Sequence, residues 1–208
     1  MSLWGRFFAA MYDRTMAATE EAGLGERRDA LLTGVHGAVI EIGAGTGVNL
    51  AHYPPAGIDE LVLVEPEEPM ARRLERRVED SALPARVVLA PAEELPLPDA
   101  SFDIAVSTLV LCTVKDQTRA LAELRRVLKP GGTLLFLEHV RAEDPRTARW
   151  QDRLLPLWVR LGHGCHCNRA TLDTIKASGF NVSDFERAKL PKAPPIVRPM
   201  IVGAAARG

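Results

Sequence analysis

The 208-residue sequence is short of several things, and each shortage closes off a class of function. Aromatic residues make up only 5% of it, too few for a surface on which bases stack. Its 26 basic and 27 acidic residues leave a net charge of −1, with no excess to attract a polyanion. Nucleic acid is therefore not an expected partner. Three cysteines cannot build a disulfide framework and suit a reducing compartment, so the expected location is cytoplasmic. No apolar run approaches the roughly 20 residues of a membrane span, so no transmembrane segment is expected. The stretch from Met1 to Tyr12 contains Arg6 and lacks a small-residue cleavage site, so it does not read as a signal peptide. What remains is a single domain over residues 1–208, with 47% hydrophobic residues to fill a core.

The informative stretch is Val39–Leu50. Val39, Ile40 and Ile42 read as a short buried strand with an acid, Glu41, inside it. Gly43, Gly45 and Gly47 follow at alternate positions. Glycine reaches backbone conformations that other residues avoid, and without a Cβ it lets a ligand lie against the chain. Val48 and Leu50 then predict a helix, ended early by Pro54 and Pro55. The whole reads as strand, tight turn, helix, with a ligand cradle at the strand's carboxyl end. The candidate contacts are Glu41, Gly43, Ala44, Gly45, Gly47 and Asn49. A turn with no ligand could use the same glycines, so the motif alone leaves both readings open.

The spacing narrows the ligand. A dinucleotide fingerprint, G-x-G-x-x-G, would put its third glycine where Val48 stands. Glu41 would repel a diphosphate and suits a cation. S-adenosyl-L-methionine (SAM) carries both a sulfonium and an ammonium. The run Glu41-Ile-Gly-Ala-Gly-Thr-Gly47 resembles the first motif of class I SAM-dependent methyltransferases.

Further acids follow at strand ends. Glu60–Pro66 is a second buried strand, and Glu65-Pro66 stands about 20 residues past the glycine turn, where an acid would either hold ribose hydroxyls or simply be a solvated strand end. Pro66–Val78 predicts a helix with Met70 on its inner face, able either to touch the adenine or to pack in the core. Arg86–Ala90 predicts a third strand. Ala92 and Glu93 come just after it, where a carboxylate, Glu93 or the adjacent Glu94, can accept from the adenine amino group. Ile104–Leu111 predicts a fourth strand, and backbone carbonyls at Ser107, Thr108 and Leu109 can receive an ammonium. Asp116 is placed to cap the next helix, Lys129–Gly132 to stop it, and Thr133–Val140 to form a fifth strand.

The acceptor side falls in the least regular segments. Leu3, Trp4, Phe7, Phe8, Met11 and Tyr12 recur at helical spacing. They make a helix on the core edge or a lid over the pocket, with Tyr12 near the reacting centre; shallow peripheral membrane contact is a third use. His139 ends the fifth strand, where α/β active sites gather. His166 lies in Gly162–Asn168, a loop that also holds Cys165 and Cys167. One residue between those cysteines is too few for the usual zinc spacing, so no metal is expected. Asn168 is placed to cap a helix over Arg169–Ser178. Tyr12, His139 and His166 are the candidate catalytic residues; a satisfied strand-end histidine is the other reading of His139, and a hydrogen bond within its own loop that of His166.

Five strands alternating with helices predict a doubly wound parallel sheet, and two terminal strands follow with no helix between them. The expectation is an α/β fold with a mostly parallel seven-stranded sheet, Rossmann-like, with an antiparallel terminal strand. Its parts would be a helical lid over 1–34, a SAM-binding core over 35–140, and substrate-side helices with a terminal hairpin over 141–208. Glu65-Pro66, Ala92–Pro96, Phe102-Asp103 and Ala122–Gly132 extend the resemblance to the methyltransferase branch that includes quinone-biosynthesis C-methyltransferases. Val110-Leu-Cys112, Phe136-Leu-Glu-His-Val140 and Gly164-Cys165-His166 resemble small methyltransferase-like proteins related to thiol methyltransferases. The resemblance implies methyl transfer from SAM to a small-molecule nucleophile, with S-adenosylhomocysteine as product. A thiol, a phospholipid amine and a quinol are candidate acceptors, and SAM binding without transfer is the rival reading. Oligomeric state is not legible.

Overall fold

The computed structural model describes residues 16–208, so Tyr12 and the apolar face from Leu3 onward lie outside the described residues. Seven strands form one sheet: β1 Gly37–Ile42, β2 Ile58–Val64, β3 Ala85–Val88, β4 Phe102–Thr108, β5 Leu128–His139, β6 Phe180–Lys189 and β7 Pro199–Arg207. Their order is β3-β2-β1-β4-β5-β7-β6. β1 to β5 are parallel, and β7 runs antiparallel between β5 and β6. The chain winds outward from β1 in one direction through β2 and β3, then returns to add β4 on the other side. That reversal opens a crevice above the carboxyl ends of β1 and β4, where ligands of doubly wound sheets bind.

Helices α1 Gly25–Leu32 and α2 Glu68–Glu79 cover one face of the sheet; α3 Gln117–Val127 and α5 Thr171–Ala177 cover the other. The alternation of strand side chains decides which residue meets which layer. Val39, Leu61 and Leu63 pack with Leu32 and Leu74. Ile40, Ile42, Val62 and Val64 pack with Leu121, Leu124 and Ile175. A third cluster, with Leu24, Cys112, Leu137, Cys165, Cys167, Val197 and Met200, closes the carboxyl end of β5. Helix α4 Pro145–Leu161 leads into it. Among the described residues no helix is long and apolar enough to cross a membrane.

The Asp116 cap agrees with expectation, and Asp144 supplies a second of the same kind. Asp116 accepts from Thr118 N at 2.9 Å, and Asp144 accepts from Thr147 N at 2.9 Å with Pro145 in the first turn. A kink at Gly23, with φ 119°, lies within the turn Glu20–Leu24 that precedes α1. Other local readings need correction. The helix expected after the glycine turn is a single 3-10 turn, Val48–Ala51, because the Tyr53-Pro54-Pro55 run follows at once. β3 spans Ala85–Val88 rather than Arg86–Ala90, since its partner β2 ends at Val64, opposite Val88. β5 starts at Leu128, with residues 129–132 bulging between the pairs Phe102–Leu128 and Ile104–Thr133. Asn168 does not cap α5; its amide donates to Asp152 at 2.9 Å, and α5 starts at Thr171 without a side-chain cap.

Candidate active site

The three glycines of the turn all have positive φ, at 57°, 58° and 87° for Gly43, Gly45 and Gly47. Their surroundings differ. A Cβ on Gly43 would lie 2.5 Å from Val110 Cγ1, and one on Gly47 would lie 2.7 Å from Leu74 Cδ1. The outer glycines therefore answer to packing. At Gly45 the nearest atom is Met70 Sδ at 3.8 Å, so this backbone borders open space. Ala44 ties the turn to β2 through its N–H, which donates to Val64 O at 3.0 Å.

Glu65, just beyond β2, braces the same turn. Its Oε2 accepts from Gly45 N at 2.8 Å and its Oε1 from Glu67 N at 2.8 Å. Burial pushes its pKa above the ordinary carboxylate value, and the two backbone donors oppose that rise. Each oxygen keeps a lone pair for a further donor. Pro66 follows, exposed, at the start of the bend into α2.

A second network lies beneath the turn, on the α1 side of β1. Glu41 is buried, accepting from Asn49 Nδ2 at 2.9 Å and from the Tyr53 hydroxyl at 2.6 Å. Desolvation lifts its pKa to about 7 despite those donors. Asn49 Nδ2 also reaches Thr108 Oγ1 at 3.0 Å. Arg28 completes the group from α1: its Nη1 donates to Asn49 Oδ1 at 2.7 Å and to Thr108 Oγ1 at 3.0 Å. Its other side holds Glu20 at 3.1 Å. Glu41, Asn49 and Thr108 were expected at the site, but Arg28 and Tyr53 were not. The signal for Arg28 was available. It stands four residues from both Leu24 and Leu32, which are fully buried, so a charge occupies the apolar face of a helix. Tyr53 carried no comparable local signal.

Above β4 and β5 the backbone turns sharply. Leu109 has φ 61° and its N–H donates to Leu137 O at 2.7 Å. Glu138 holds the segment from below: its Oε1 accepts from Ser107 Oγ at 2.7 Å, Val110 N at 3.0 Å and Leu111 N at 3.1 Å. Its Oε2 is buried with no partner among the described residues, and burial raises its pKa to about 7. His139 is buried, with Nδ1 unpartnered among the described residues, and burial lowers its pKa to about 4. His166 serves its own loop, with Nδ1 2.8 Å from Gly164 O and its N–H on Cys112 O at 2.7 Å. Arg169 Nη1 donates to Leu111 O at 2.7 Å, so the loop 162–169 rests on the segment after β4. Glu93 accepts from Lys115 N at 2.7 Å and Asp116 N at 3.2 Å, beside the buried Ala92.

The crevice suits a cationic nucleoside. It has bare backbone at Gly45, a strand-end carboxylate with lone pairs to spare, and a second buried carboxyl poised near neutrality. A diphosphate would meet both acids and find no glycine at Val48. Fold and crevice together are those of the SAM-dependent methyltransferases. The methyltransferase domain family (Methyltransf_11) matches residues 40–136. Human thiol S-methyltransferase TMT1B is 36% identical over 182 residues, which cover 85% of this chain and 74% of that one. Human TMT1A is 31% identical over 204 residues, covering 96% and 83%. Among solved structures, a SAM-dependent methyltransferase of Thermotoga maritima, a possible histamine N-methyltransferase, shares 25% identity with a TM-score of 0.71 and covers 98% of both chains. The chain belongs to the family of the thiol S-methyltransferases TMT1A and TMT1B. Its cofactor is SAM.

Proposed function

We propose that the acceptor is a small thiol. The observation that carries this reading is the likeness to TMT1B and TMT1A over most of both chains. Bound SAM supplies an electrophilic methyl on a sulfonium. The thiolate sulfur forms the new bond to that methyl, the bond from methyl to the sulfonium breaks, and the products are a methyl thioether and S-adenosylhomocysteine. The thiol proton goes to solvent. A thiol has an ordinary pKa of about 8.5 and is partly ionised near neutrality, so little base is needed. The side chains near the carboxyl end of β5 support that economy. His139 is held neutral, and Glu138 is turned into the protein to hold Ser107, Val110 and Leu111. The protein's contribution is alignment, worth up to roughly 7–11 kcal/mol in favourable cases.

In this reading Glu65 accepts from the ribose hydroxyls and Glu93 from the adenine amino group. Met70 borders the nucleoside beside Gly45, and the carbonyls of Ser107 to Leu109 face the ammonium. His139, His166 and Tyr12 belong to the acceptor side. The test is release of S-adenosylhomocysteine with alkyl thiols, lipid amines and quinols offered in parallel. Turnover with thiols alone supports the proposal; a flat response to thiols overturns it.

Two finer expectations go with it. Three buried free thiols suit a reducing compartment, the cytoplasm. Peripheral contact with a membrane fits the outer side of α4, where Trp150, Leu157 and Leu161 are exposed beside Arg146, Arg149, Arg153 and Arg160. An apolar stripe edged by arginine suits an anionic lipid surface. Co-sedimentation with anionic but not zwitterionic vesicles, lost on Leu157→Glu, is the expected result.

A further inference from the structure

Arg28 is a buried cation in a pocket whose other charged members are acids, and the hydrogen bonds around it do not use all its protons. Nε and one Nη2 proton face Glu20, at 3.1–3.3 Å. Both Nη1 protons are spent, on Asn49 Oδ1 and Thr108 Oγ1. A guanidinium has five N–H donors, so one proton of Nη2 is left without a partner among the described residues. Thr108 is in a similar position. Its Oγ1 accepts from both Arg28 and Asn49, which fills its two lone pairs. Its own hydroxyl proton must then be donated, and no described residue receives it.

Two unspent donors therefore remain at the carboxyl end of β4, beside the switch point, and one of them carries a full positive charge. Donors of that kind call for an anionic acceptor. SAM has one such group. Its sulfonium and ammonium are cationic and match Glu41 and the strand-end carbonyls, and its ribose hydroxyls match Glu65. Of the cations described above, Arg169 spends Nη1 on Leu111 O, and Arg28 is the one that shares the network of Glu41, Asn49 and Thr108. We infer that Arg28, with the Thr108 hydroxyl, receives the methionyl carboxylate of SAM and so sets the cofactor's selectivity for a carboxylated amino acid chain.

This rests on SAM binding and not on the identity of the acceptor, so the test uses binding alone. Calorimetry on the full chain would compare SAM, decarboxylated SAM and 5′-methylthioadenosine. Native protein should prefer SAM to decarboxylated SAM by about 10- to 100-fold, the worth of a charge-assisted hydrogen bond. Arg28→Met should abolish that preference while 5′-methylthioadenosine binds within about twofold of native. Arg28→Lys, which keeps the charge, should restore part of it. Thr108→Val removes the hydroxyl donor together with the acceptor that Arg28 and Asn49 share, leaves the Glu20 pair in place, and should cut the preference several-fold; read against 5′-methylthioadenosine, it decides the matter if Arg28→Met does not fold. Equal weakening of all three ligands, or an undiminished preference in Arg28→Met and Thr108→Val, would show that Arg28 only braces the pocket and overturns the inference. So would a native protein that does not distinguish the first two ligands.

Discussion

Glu65 Oε2 accepts the N–H of Gly45 at 2.8 Å, joining the residue after β2 to the barest point of the turn after β1. One carboxylate thereby shapes the cradle and stands beside the space the cradle borders. Removing it should act twice. Glu65→Ala should weaken SAM by about 10- to 100-fold, the scale of a lost charge-assisted hydrogen bond. Calorimetry checks this, and unchanged affinity would leave the carboxylate with the loop alone.

The glycines should separate by role. Gly43→Ala places a methyl group 2.5 Å from Val110, and Gly47→Ala places one 2.7 Å from Leu74. Each should cost about 1–3 kcal/mol for overpacking on top of about 1–2 kcal/mol for the left-handed backbone. Gly45→Ala meets nothing closer than 3.8 Å. It should lose only the backbone share in stability, yet lose SAM affinity. Denaturant melts paired with binding titrations distinguish the three.

Glu138 should give the stability a pH dependence of known sign. Its folded pKa, about 7, lies above the ordinary value of 4.5. The folded state then keeps a proton that the unfolded chain releases. The associated stability is present below pH 4.5 and is lost as pH rises through 7. Glu138→Gln keeps a neutral side chain in place at all pH. Relative to the native protein it should be near parity at pH 5 and gain up to roughly 3 kcal/mol by pH 8. Denaturation at both pH values reads this. A constant difference would mean that Glu138 is ionised in the folded protein.

His139 should leave no mark on the activity profile. Its pKa of about 4 keeps it neutral across the working range. The rise of kcat/KM with pH should then follow the acceptor thiol, near 8.5 for an alkyl thiol and lower for a more acidic one. Thiols of graded acidity test this. An inflection near 6.5 that stays put across the series would assign the proton to histidine instead.

Much of this site was legible because its parts are local. A glycine at alternate positions, an acid after a strand, an aspartate before a helix: each follows from backbone conformation or hydrogen-bonding need within a few residues. Gly43 to Gly47, Glu65, Asp116 and Asp144 sit where such rules put them. The element bounds that moved did so for reasons outside the segment. β3 stops where β2 stops, and Asn168 finds Asp152 rather than a helix N-terminus.

The sequence by itself determined the order of strands and helices, the conformation of the glycine turn and the placing of acids at strand ends, because short-range sterics and hydrogen bonding dictate them. Only the tertiary structure decided that Arg28 and Thr108, 80 positions apart, share a hydrogen bond above a buried Glu41. A buried charge survives only where other elements bring it partners, and which partners arrive is settled by how the chain crosses the sheet.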